Sequence, residues 1–208
     1  MNDVDGRSAR AERTRSLIVD AHLGLITDGE LKPTARQVTE RAGVSPRTLW
    51  GHFTDMEAVM AASARQQLDA RKAAFTPPLE GTDLPERLRA FAYYRAAALE
   101  ELAPLARAAD VQRPFSPVLQ QNLRQNLETI RAEIEAHFAE ELDRHEAGER
   151  ERLVAALVVA SDWASWQLLR QYLERSVAEA RAVLETSVAA LLVLRDPSVE
   201  ELTKGNPA

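Results

Sequence analysis

Residues 34–53, TARQVTERAGVSPRTLWGHF, decide how this chain is read. Thr34 follows Pro33 and caps a short helix that runs to Ala42, where Gly43 ends it. Ser45 then caps a second helix with Pro46 at its first position, where the missing N–H costs nothing and φ is already helical. Two short helices joined by a glycine turn are a helix-turn-helix. Val38, Ala42, Val44 and Leu49 are expected to face inward and fix the crossing. Pro46, Arg47, Trp50 and Gly51 then face outward, placed to enter a DNA major groove.

Around this stretch nearly every apolar pattern has helical period, and alternating β-branched runs are missing, so the fold is expected to be all-α with about nine helices. A first helix spans about Ala11 to Thr27, with Leu17, Ile18, Ala21 and Leu25 on one face and Asp28-Gly29 as its stop. A fourth begins at Thr54 or Asp55, runs to about Phe75 and is broken by TPPLEGTDLP. Further helices are read over Pro85–Ala103, a short offset piece Pro104–Asp110, Pro117 to about Arg144, Gly148–Arg175 and Val177–Arg195, before a polar tail. The functional division is expected at residue 54, with an N-terminal arm and head over 1–54 and a larger helical part over 55–208.

The formal charge of the 208 residues is -6, yet residues 7–56 carry eight Arg and Lys against six Asp and Glu. Arg7, Arg10, Arg13 and Arg15 cluster near the start as an arm suited to a phosphate backbone or a minor groove. Cysteine is absent, which excludes disulfides, thiolate nucleophiles and cysteine-based zinc sites. The polar N-terminus and the lack of a long apolar run predict a soluble cytoplasmic protein.

The order, spacing and residue types of TARQVTERAGVSPRTLWGHFTDMEAV, with Gly29 ahead of Thr34 and LIVDAHLGLI in the first helix, resemble the N-terminal region of the tetracycline-repressor (TetR) family of bacterial transcription regulators. The close match covers about Leu17 to Val59, roughly a quarter of the chain. Three positions depart from the family pattern: Thr39 stands where a small Ala is usual, Trp50 where a Tyr is usual, and Met56 where a Lys commonly meets a phosphate. The hydroxyl of Thr39 must then bond to its own turn, or the two helices must sit slightly apart. The resemblance implies a homodimeric, ligand-responsive repressor of a DNA operator, and not an enzyme; no cofactor is implied.

Each outward residue has a chemistry of its own. Arg47 can bridge guanine O6 and N7, or hold a phosphate instead. Thr34, Ser45, Thr48 and His52 suit phosphate oxygens, and Arg36 adds charge without sequence preference. Trp50 can stack on sugar or donate to phosphate, unless it is a buried staple between helices, and Gly51 permits close backbone approach.

In the larger part, LVAALVVASDWASWQLLRQYL, residues 153–173, is apolar around nearly the whole helix, and Val177, Ala180, Leu184, Val188, Leu191 and Leu192 follow in the next. A helix apolar all round must be covered on more than one side. A homodimer through the last two helices would cover it, placing two heads about 34–36 Å apart over a palindromic operator. For a small-molecule effector the candidates are Phe91, Tyr94, Arg95, Asn122, Asn126, Asp162, Trp163 and Trp166. Asp162 either meets a ligand or pairs with Arg95 or Arg170, and the two Trp residues line a pocket, the core or the dimer interface. His137, Glu141 and His145 fall at i, i+4 and i+8, but their charged surroundings read as a solvated helix end, and no metal is expected. Control by a partner protein, or no ligand response at all, is the alternative. A small-molecule-binding or enzymatic helical protein with a vestigial head is a third reading, though no phosphate loop or Ser/His/Asp cluster supports catalysis.

Overall fold

The computed structural model describes residues 3–77 and 82–193, with side chains from Ser8 onward, and every regular element among them is helical. In order they are α1 (Asp3–Thr27), α2 (Ala35–Ala42), α3 (Pro46–His52), α4 (Met56–Ala74), α5 (Leu84–Gln112), α6 (Pro117–His137), α7 (Ala139–Leu142), α8 (Ala147–Ser161), α9 (Trp163–Gln167) and α10 (Val177–Val193). Arg113–Phe115 is a 3-10 turn and Leu168–Tyr172 a π-helical one. Packing divides the chain into two units: residues up to Ala73 with Leu102–Gln125, and Ala74–Glu101 with residues from Asn126 on. These are units of packing, whereas the division expected at residue 54 is one of function.

The first unit is built on Ile18, Val19 and Ala21 of α1, Val38 of α2, Leu49 of α3, Phe53 just after α3, and Val59 of α4. Burying each large apolar side chain stabilises the unit by roughly 1.5–3 kcal/mol. Leu17, expected inward, is exposed, and Val19 takes its place in the core. A second cluster joins Ile26, Met60, Leu105, Ala108 and Leu119. Between α1 and α4, His22 is buried with Nδ1 2.8 Å from the Ser63 hydroxyl, which itself donates to the Val59 carbonyl at 3.0 Å. Burial without a charged partner lowers the His22 pKa to about 4, so the ring is neutral.

Three expected boundaries move, each for a local reason. α5 runs through Pro104 to Gln112 in one piece, because the alanine-rich sequence on either side is strongly helical and Leu105, Ala106 and Ala108 are buried. The helix expected over Pro117–Arg144 breaks at Phe138 (φ -124°, ψ 27°), whose ring turns into the core of the second unit. The helix expected over Gly148–Arg175 ends at Ser161: Asp162 is extended (ψ 164°) and its carboxylate accepts the N–H of Ala164, an aspartate choosing a cap over a helix interior.

In the second unit Leu153, Val154 and Leu157 of α8 and Ala180, Leu184, Val188 and Leu192 of α10 are buried. Phe91, Ile130, Ile134, Phe138 and Leu142 are also part of its core. Arg87 and Glu141 form a buried bidentate ion pair at 2.8 and 2.8 Å, and a further N–H of Arg87 donates to the His137 carbonyl. His145 instead meets Glu149 at 3.3 Å, so the three residues spaced as metal ligands are separated by the break and turn to different partners. No described helix is long and apolar enough to cross a membrane.

Candidate nucleic-acid interface

Thr34 starts α2 with a reciprocal cap: its backbone N–H donates to Gln37 Oε1 at 2.8 Å and its hydroxyl receives the Gln37 N–H at 3.4 Å. Gln37 is held in turn by Glu30, to which its amide donates at 3.1 Å. The Thr34 hydroxyl also donates to Gln37 Oε1, at 2.7 Å, so only its acceptor lone pair remains for anything outside. Gly43 ends the helix at φ 66°, a left-handed turn that favours glycine. Thr39 is buried at the crossing, its hydroxyl 2.9 Å from the carbonyls of both Ala35 and Arg36, so bonding to its own turn is the outcome.

α3 is started by Ser45, whose oxygen accepts the Thr48 N–H at 3.0 Å and lies 2.8 Å from the Thr48 hydroxyl. Of these two hydroxyls one donates to the other, which leaves one O–H able to donate outward. Leu49 is fully buried while Pro46, Arg47, Trp50 and Gly51 are exposed on the opposite side. Trp50 is 46% exposed and is therefore no buried staple. A Cβ placed on Gly51 would meet nothing within 4 Å, so the space outside the helix is open. His52 is half-buried at the end of α3. Arg36 is exposed on α2, 3.9 Å from Glu40, which is exposed too, a contact that holds it weakly.

The expected arm is not an arm. Residues from Asp3 on are part of α1, where Arg10 and Arg13 are exposed, and the side chain of Arg7 lies outside the described residues. Arg15 faces the protein: its guanidinium is 4.3 Å from the centre of the Phe53 ring and donates to the His52 carbonyl at 3.2 Å. On the far side of α2, Arg41 pairs with Asp28 and lies across Gly24, where an added Cβ would come within 2.7 Å of the guanidinium.

The residues put forward for an effector divide between the units. Asn122 belongs to the first, where it donates to the Ala61 carbonyl at 3.4 Å, and Asn126 belongs to the second. Tyr94 and Arg95 are brought together on Glu133: the phenol donates at 3.0 Å and the guanidinium faces the carboxylate as an ion pair at 3.9 Å, while Arg95 Nε donates to the Ser161 carbonyl at 2.7 Å. Arg95 thus takes Glu133 rather than Asp162 as its acid. Arg170 takes Glu100, at 2.9 Å, and the Trp166 indole donates to the same carboxylate at 2.8 Å. Asp162 spends one oxygen on its cap, Trp163 and Trp166 are buried, and Phe91 stacks edge-on against His137 and Phe138. Glu133 and Glu100 are the organising residues of these clusters, and the sequence offered only a weak signal for them: an acid on the apolar face of a helical stripe.

Exposed α3 on a buried helix-turn-helix, carried by further helices, defines the class as a helix-turn-helix protein. Its fold is that of TetR-family transcriptional regulators. It is similar to a Mesorhizobium loti protein described as a TetR-family transcriptional regulator (TM-score 0.71, 23% identity, covering 89% of this chain and 98% of that one). It is also similar to a transcriptional regulator from Rhodococcus sp. Rha1 (TM-score 0.62, 22% identity, 88% and 95% covered) and to a TetR-family regulator from Streptomyces coelicolor (TM-score 0.71, 17% identity, 93% and 87% covered). No family model and no curated protein matches the chain.

Proposed function

We propose that this protein is a DNA-binding transcriptional repressor, cytoplasmic and homodimeric, that reads a palindromic operator with α3 and is released by a small-molecule effector. The head is residues 1–54, and effector binding and dimerisation belong to 55–208. The observation that carries this reading is the exposure of Arg47, Trp50 and Gly51 on a helix whose other side is anchored by fully buried Leu49. Dimerisation through α8 to α10 is supported by apolar side chains left uncovered there, with Val159 67%, Tyr172 71% and Val193 64% exposed.

Enrichment of duplexes from a randomised DNA library tests the reading, and the absence of any preferred sequence at moderate salt would refute it. With an enriched duplex, Arg47→Ala should relax preference at one base pair by about 1–3 kcal/mol, whereas Arg36→Ala should weaken all sequences alike. A uniform loss from Arg47→Ala would assign that side chain to phosphate. Control without a small molecule is favoured by one feature: Phe91, Arg95 and Trp166 are fully buried, and the polar groups of Tyr94, Arg95 and Trp166 engage carboxylates of the protein itself. A thermal-shift screen of hydrophobic compounds separates the two, since only an effector-binding protein gains stability with ligand concentration.

A further inference from the structure

We propose that Arg15 of α1 is the positioning residue of the DNA-reading helix, holding the C-terminal turn of α3 from outside without touching DNA. This rests on the reading of α3 given above. A helix of seven residues has little stability of its own, and its last carbonyls have no partner within it. The His52 carbonyl is one of these, and Arg15 Nη1 donates to it at 3.2 Å. The same guanidinium lies 4.3 Å from the centre of the Phe53 ring, the residue that caps α3 and whose N–H closes its last turn on Leu49. A cation at this point also faces the negative end of the helix dipole. One planar group therefore fixes both the last carbonyl of α3 and the ring that ties it to the core. Ser45 holds the other end, so the outward residues Arg47, Trp50 and Gly51 lie between two fixed points. Arg15 stands in the basic cluster that the sequence offers to phosphate, but its Nη1 is turned to the protein.

The test uses full-length wild type, Arg15→Gln and Arg15→Lys, all good helix formers, so that α1 itself is unchanged. Amide hydrogen exchange in the free protein is expected to accelerate over Leu49–Phe53 in Arg15→Gln, with α2 unaffected. Against a duplex enriched by the wild type, Arg15→Gln should bind about tenfold more weakly with the salt dependence unchanged, because no phosphate contact is lost. Arg15→Lys keeps the charge and a donor but not the planar stack, and should restore the binding only partly. A salt slope reduced by about one, with full rescue by Lys, would make Arg15 a phosphate ligand and overturn the proposal. Unchanged exchange over Leu49–Phe53 would overturn it as well. If no duplex is enriched, the DNA-reading assignment fails by itself, and the exchange data alone decide whether Arg15 holds the helix.

Discussion

At Gly43 the backbone is left-handed with open space around it, so conformation alone limits what the position accepts. Gly43→Ala should cost about 1 kcal/mol through strain at positive φ, seen as a thermal midpoint lower by roughly 2–4 °C. Thr39→Ala should by contrast be close to neutral: the hydroxyl bonds only to carbonyls of its own helix, and alanine is the better helix former. An urea titration of both variants separates a position that needs glycine from one that merely tolerates threonine. The same residue-scale logic explains what was legible in the site. Arg47, Trp50 and Gly51 were readable because they fall between inward residues at helical spacing. Arg15 was not, because charge in a sequence looks the same whether it points to solvent or lies on a phenyl ring.

Helices were legible wherever one chemistry dominated a stretch, and boundaries failed where a single residue had two choices. Pro104 suggests a break, yet its neighbours carry α5 across it. Asp162 sits in a run apolar enough to be one helix, and its carboxylate divides that run into α8 and α9 by capping the second. Removing the cap with Asp162→Ala should destabilise the protein by about 1 kcal/mol in equilibrium unfolding. The pairing of Arg87 on α5 with Glu141 on α7 was invisible because it joins elements far apart in the chain. Glu141→Ala would leave the buried Arg87 guanidinium only the exposed Glu140, 3.5 Å away, and should cost up to about 3–5 kcal/mol, while Arg87→Met with Glu141→Leu should recover most of the loss. Equal destabilisation by the single and double variants would mean that the cost comes from losing the pair itself and not from a guanidinium left uncompensated.

Across the whole molecule, acidic total charge and the proposed DNA-reading head are compatible because the excess of acid falls after residue 56, while residues 7–56 are mildly basic. Acid should destabilise the fold through its buried histidines. His22 titrates at about 4 in the folded protein and near 6.5 when unfolded, so below pH 6.5 the unfolded chain binds the extra proton. Stability from this group is full above that pH and falls on acidification until pH 4, with about 2 kcal/mol lost between pH 7 and pH 5. Burial lowers the His137 pKa as well, which adds to the loss in the same direction. Urea melts at the two pH values should show a smaller difference in His22→Asn than in wild type, and an equal difference would move the effect elsewhere.

The guanidinium of Arg41, resting over Gly24 and tied to Asp28, makes two distant positions answer to each other. A side chain at 24 would push aside the guanidinium at 41, the mobile end of a partly exposed side chain, and a shorter residue at 41 would leave bare the ground that a side chain at 24 then fills. Positions 24 and 41 are therefore one site with two addresses: a side chain at 24 is felt first as loss of the contact between Arg41 and Asp28.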